Sequence, residues 1–158
     1  MAYYEVPLLY APVTTALKGA GYLLTNAAPR RLQIYEVEFG QGGTLATTDC
    51  QCQWDMTRSL TVTATGSAVA SNLLDIGDTV MAASYLNNLN NEPVPTSAGS
   101  GLSLKSWSIN QRGSYRWRAL DDGDNLLIPA GSASGLEIRT LSSQFTSSAI
   151  GNMSFIER

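Results

Sequence analysis

From Arg31 onward, hydrophobic and polar residues alternate with a period of two through most of this chain. In the segment LQIYEVEF (32–39), Tyr35, Val37 and Phe39 fall on one face, with Glu36 and Glu38 on the other. CQCQWDMT (50–57) alternates more strictly: Cys50, Cys52, Trp54 and Met56 read as inward, Gln51, Gln53, Asp55 and Thr57 as outward. Successive side chains of a strand point to opposite faces, so both segments predict half-buried strands. LTVTAT (60–65) continues with the β-branched residues that suit a pleated surface. Further strands are expected at 102–109, 113–119, 125–128, 135–141 and 150–157, separated by clusters of Gly, Asn, Asp and Ser. The fold class is therefore all-β. About eight short antiparallel strands suit a two-sheet sandwich in which each sheet buries one face, and the jelly roll is the eight-strand solution. An immunoglobulin-like sandwich is the alternative, but the Cys-Trp-Cys spacing that marks it is missing. Trp54, Met56, Tyr115, Trp117 and Leu136 are expected in the core, with Gln53, Asp55, Arg116 and Arg118 on the opposite faces.

Three regions break the alternation. Residues 75–86, DIGDTVMAASYL, carry a helical hint that Gly77 weakens. Residues 87–101, NNLNNEPVPTSAGSG, read as a long exposed loop, the kind of segment that often carries binding. Residues 1–30 have no sustained period and are punctuated by Pro7, Pro12, Gly19, Gly21 and Pro29. Yet Tyr3, Tyr4, Leu8, Leu9, Tyr10, Leu23 and Leu24 are too apolar for a solvated tail. Either the segment docks on a neighbouring chain, or it packs back on its own domain as irregular chain or an edge strand. The expectation taken forward is an N-terminal arm (1–30) that leaves a β-sandwich domain (31–158).

Composition narrows the function. The 158 residues suit one domain, and only 15% are charged, against roughly 25% in an average globular chain. Such a surface is poorly protected against association, so partner chains are expected. A net charge of −3 gives no general attraction to nucleic acid or to an anionic membrane. Histidine is absent, which removes the commonest general base and the usual serine and cysteine triads. Met1 to Pro12 has no basic stretch, carries Glu5 and is broken by proline, unlike a secretory signal, so synthesis in the cytosol is expected.

The remaining candidates for chemistry are weak. Cys50 and Cys52 stand two apart on a strand, roughly 6.5–7 Å at Cα, the upper edge of disulfide geometry. With no histidine, a zinc site there would need carboxylates to complete it, so the two read as small buried thiols. DDGDN (121–125) clusters three carboxylates but lacks the EF-hand pattern, and a hairpin turn on Asp122-Gly123 is the commoner meaning. GSASG (131–135) has Ala133 where a nucleophile elbow needs serine. The sequon at 152–154 lies inside an expected strand. Tyr115 and Trp117 alternate with Arg116 and Arg118, an interleaving that serves single-stranded nucleic acid only when both sets point the same way. Strand parity separates them. No catalytic constellation, cofactor site or metal site is assigned. Arg112, Arg116 and Arg118, with the outward Glu36 and Glu38, read instead as interface residues, since Arg is enriched at protein contacts.

Three stretches, RRLQIYEVEFGQGGTLATTDCQCQWDMTR (30–58), NQRGSYRWRALDDGDNLLIPA (110–130) and LEIRTLSS (136–143), resemble small virion proteins of tailed bacteriophages, of the capsid decoration (cement) type. The resemblance spans about 30–158 and is looser over 65–105. It implies a β-rich, often trimeric subunit on the capsid surface that clips major capsid proteins together; from the net charge, no nucleic-acid or membrane partner is expected. The competing class is a glycan- or host-binding module of a head or tail fibre, whose binding loop would be 87–101. That loop contains neither Trp nor Tyr. A carboxylate-pair glycosidase is the enzymatic alternative, and no acid/base pair stands apart to support it.

Overall fold

In the computed structural model the described residues are 2–10, 19–24, 30–42, 49, 51–59, 65–68, 72–74, 77, 81, 83–91, 103–121, 123–130, 135–140 and 148–158. Their strands are β1 (Ala2–Tyr10), β2 (Gly19–Leu24), β3 (Leu32–Gly42), β4 (Gln51–Ser59), β5 (Thr65–Ala68), β6 (Asn72–Leu73), β7 (Ser84–Asn91), β8 (Ser103–Asn110), β9 (Ser114–Arg118), β10 (Leu126–Ile128), β11 (Gly135–Thr140) and β12 (Ser148–Glu157). They form two antiparallel sheets, as the alternation predicts. The first has the order β10-β3-β12-β1-β6, with β9 also on β3, and the second has the order β5-β7-β2-β11-β4-β8. The pairing is nested: β1 lies on β12, β2 on β11, β3 on β9 and β10, and β4 on β8. β5, β6 and β7 add outside these pairs, β6 beside β1 and β7 beside β2.

The core lies between the sheets. Tyr4, Val6 and Leu8 of β1 and Val37 and Phe39 of β3 meet Trp54 and Met56 of β4 and Leu136 and Ile138 of β11. The Phe39 and Trp54 rings meet edge to face at 4.3 Å, and Tyr4 stacks on Phe155 at 5.4 Å. Each such side chain contributes roughly 1.5–3 kcal/mol by leaving water. Tyr115 and Trp117 also point inward but are half-buried, because β9 is an edge strand. They close the open side of the sandwich, Tyr115 stacking on Trp107 at 4.3 Å and Lys105 lying 5.6 Å from the centre of the Trp117 ring.

Several expectations need correction. Residues 2–10 and 19–24 are not an arm but strands of the sandwich, and β1 is paired along its whole length with β12. Their apolar side chains do need burial, and they find it in their own domain: Tyr4, Leu8, Tyr22 and Leu23 are fully buried. Pro7 is no obstacle. The Tyr3 carbonyl accepts the Leu74 amide on the β6 side, and Pro7 has the same parity as Tyr3. The Pro7 nitrogen therefore faces away from β12, beyond the Tyr4 and Glu5 positions where the β6 ladder lies, and no ladder donor is lost. Gly21 acts as a spacer within β2, not as a break, because a Cβ there would overlap Leu8 and the Tyr85 hydroxyl.

Tyr35 does not share the inward face of Val37 and Phe39. The β3–β12 register shifts between Ser154 and Phe155, so Tyr35 is a bulge and the inward residues below it become Ile34 and Leu32. Ser84, Tyr85 and Leu86 belong to β7, not to a helix, and 87–91 continue that strand; 92–101 lie outside the described residues. The expected hairpin on Asp122-Gly123 is not formed between the flanking strands: β9 and β10 both run along β3 as two lengths of one interrupted strand, and Asp122 itself lies outside the described residues.

Candidate functional site

The outward face of the first sheet is ordered into cross-strand rows. Leu9 pairs with Ile150, Ile150 with Gly40, and Gly40 with Ser114. The next row is Pro7, Asn152, Glu38 and Arg116, and the third is Glu5, Ser154, Glu36 and Arg118. Tyr3 and Tyr35 stand beyond it, ring centres 6.3 Å apart at 74°. A charged belt is thus flanked by apolar residues at both ends, with Tyr3 42%, Leu9 38% and Ile150 53% exposed.

Within the belt, Arg116 donates from Nε and Nη2 to a single oxygen of Glu36, at 2.6 Å and 2.5 Å. The pair is partly exposed, so its worth is about 0.2–1 kcal/mol. Asn152 Nδ2 donates to Glu38 at 3.4 Å. The side chains of Glu5 and Arg118 make no hydrogen bond or ion pair to the described residues, although Glu5 lies close enough to Tyr35 to act on it electrostatically. Partial burial lifts the Tyr35 phenol above its ordinary range, opposed by a hydrogen bond with Ser154. Between Ile150 and Ser114, the missing side chain of Gly40 leaves a groove of about 250 Å³, bordered by Glu38 and Arg116.

This face gathers most of the residues assigned to an interface from the sequence. Tyr3, Leu9, Glu36, Glu38, Arg116 and Arg118 all lie on it. Tyr4 and Leu8 do not, being inward and buried, and the side chain of Tyr10 is outside the described residues. Arg112 sits in the turn between β8 and β9, where its amide donates to Asn110 Oδ1 at 2.9 Å and its Nε lies 3.6 Å from Asp49. Glu5, Gly40, Asn152 and Ile150 were not assigned to an interface from the sequence. The alternation in SAIGNMSFIE signals Ile150 and Asn152, but nothing local signals that Gly40 leaves a groove beside them.

The outward face of the second sheet is different: Gln51, Gln53, Ser106 and Ser108 are exposed, but Asp55, Thr57 and Glu137 are polar and buried. Asp55 lies on that face as the alternation predicts, but it is covered and accepts the hydroxyls of Ser103 and Ser106. Glu137 pairs in register with Tyr22 and Thr57, is 0% exposed, and neither carboxylate oxygen has a hydrogen bond from the described residues. Burial pushes its carboxyl up to about 7, opposed by Arg139 two residues along. Cys52 is buried as expected, and Cys50 is outside the described residues. At 121–125, the Gly123 amide donates to Asp121 Oδ1 at 2.7 Å and the Asp124 amide to the Asp121 carbonyl at 3.2 Å. Asp121 is thus engaged in shaping its own turn. Among the described residues no group of three or more His, Cys, Asp or Glu is arranged to hold a metal ion. No family model, curated protein or solved structure matches the chain.

Proposed function

We propose that this chain is a structural subunit of a tailed-phage particle, a capsid decoration protein with a jelly-roll core. The nested pairing supports the jelly roll. Read inward from both ends, its four pairs alternate between the two sheets, which is how a folded-over hairpin wraps into two Greek keys. β5, β6 and β7 are then an insertion between the fourth and fifth strands of the roll.

The observation that carries the functional reading is the outward face of the first sheet. It is a broad, patterned surface with half-exposed Leu9 and Ile150, mounted on a core that fixes its geometry. The described sheet edges are poor docking sites by comparison. β6 has 2 residues and β5 has 4, β9 carries Arg116 and Arg118 and is interrupted after Ala119, and β8 carries Lys105. Short, charged or broken edges resist strand addition, which leaves the face for contact. On this reading the partner is the major capsid protein, the chain has no catalytic task, and many weak contacts sum over a shell.

Two measurements test it. Mass spectrometry of purified particles made by the genome that encodes the chain should find it in capsid-scale copy number. Particles lacking it should release DNA at a lower temperature than complete ones. Particles that never contain the chain would overturn the proposal.

A further inference from the structure

We infer that two copies of this chain pack through the outward face of the first sheet, about a two-fold axis parallel to the strands and lying between β3 and β12. The inference rests on reading that face as a contact surface, and it names the first partner of that face as a second copy.

An axis along the strands keeps each cross-strand row opposite itself and reverses its order. β1 of one copy then lies over β9 of the other, and β12 over β3. In the first row, Ile150, which is 53% exposed, comes over Gly40. There the groove of about 250 Å³ offers room for an aliphatic side chain. Leu9 comes over Ser114 in the same row. In the third row, Glu5 comes over Arg118, the two charges at opposite ends of the row that have no ion pair or hydrogen bond to the described residues of their own chain. Asn152, whose amide carries a second N–H, comes over the carboxylate of Glu38, and Ser154 comes over Glu36. Each contact occurs twice, as an isologous interface requires.

Charge selects this orientation. A two-fold axis across the strands would instead set Arg118 over Arg116 and Glu36 over Glu38, like charges throughout the belt. Packed sheets usually cross at about 30°, and β1 and β9 lie roughly 7 Å from the proposed axis. The crossing displaces Glu5 from Arg118 by under about 4 Å, within reach of side chains of that length. The patch is roughly 20 Å by 20 Å per copy, about half of a standard interface. Association of the isolated chain is therefore weak. The two-fold also differs from the three-fold assembly that the resemblance implies.

The test is sedimentation equilibrium on the full chain from about 10 μM to about 1 mM at low salt, bracketing the affinity of so small an interface. A reversible monomer–dimer equilibrium is expected. Glu5→Arg and Arg118→Glu should each weaken the dimer at least about tenfold by setting like charges together, and the double reversal should recover it to within about threefold. Ile150→Asp should abolish it, with thermal unfolding used to check that every variant is folded. A monomer across the whole range, a trimer, neutral single reversals, or a double variant as weak as either single would each overturn the inference. A chain found on particles that never dimerises removes this inference alone. A dimer that is absent from particles removes the functional reading alone.

Discussion

The phenol of Tyr85 in β7 donates to the carbonyl of Pro7 in β1 at 2.7 Å, joining the second sheet to the first. Pro7 leaves that carbonyl on the side of β1 away from β12, and Gly21 clears the space through which the phenol reaches it. Burial also pushes the Tyr85 phenol far above its ordinary range, so it remains a donor at every pH at which the protein is folded. Tyr85→Phe removes the hydrogen bond and keeps the ring. The expected loss is about 0.5–1.5 kcal/mol, and a melting temperature lower by a few degrees in calorimetry checks it.

Deleting residues 2–10 should abolish folding, not trim an appendage. The deletion removes the whole ladder partner of β12 and the buried Tyr4, Val6 and Leu8, each worth roughly 1.5–3 kcal/mol. That loss approaches the entire stability of a typical domain. A heteronuclear correlation spectrum of the truncated protein should collapse to unfolded dispersion. A native-like spectrum would show β1 to be dispensable.

Glu137 makes stability depend on pH in a direction opposite to most carboxylates. Its folded value is raised to about 7 from an ordinary 4.5, because burial disfavours the charged form. Below 4.5 the carboxyl is protonated in both states and adds no pH-dependent cost. Between 4.5 and about 7 the unfolded chain releases the proton while the folded one holds it, so stability falls as pH rises. Above 7 the full cost remains, up to about 3 kcal/mol. Glu137→Gln should flatten this slope in chemical denaturation and leave the variant more stable than the parent at pH 8. Parallel pH profiles for the two proteins would refute the assignment.

The strands that alternate without interruption were legible. In β4 the order Cys52, Trp54, Met56 fixes the inward face, and each of the three is buried. The failures have local causes. At Tyr35 one bulged residue inverts the parity of β3, and no side chain announces a bulge. In β1 and β2, Pro7 and Gly21 look like breaks because their meaning depends on strands far away in sequence: β6, which stops short, and β7, which sends in Tyr85. The outward face was partly legible for the same reason. Glu36, Glu38, Arg116 and Arg118 follow from parity within their own strands. The rows that join them to Glu5 and Ile150 depend on register, which only the paired chain supplies.

The nesting of the strands also governs when the molecule can form. Ala2 finds its partner at Glu157, and Tyr4 at Phe155, almost the full span of the chain away. During synthesis β1 emerges well before β12 and waits, its tyrosines and leucines uncovered, until β12 has been made. Folding therefore cannot finish before β12 is available, and its high contact order sets an expected scale of milliseconds to seconds, not microseconds. Until that ladder closes, the nascent chain exposes an apolar strand that a chaperone must shield or that neighbouring nascent chains will capture.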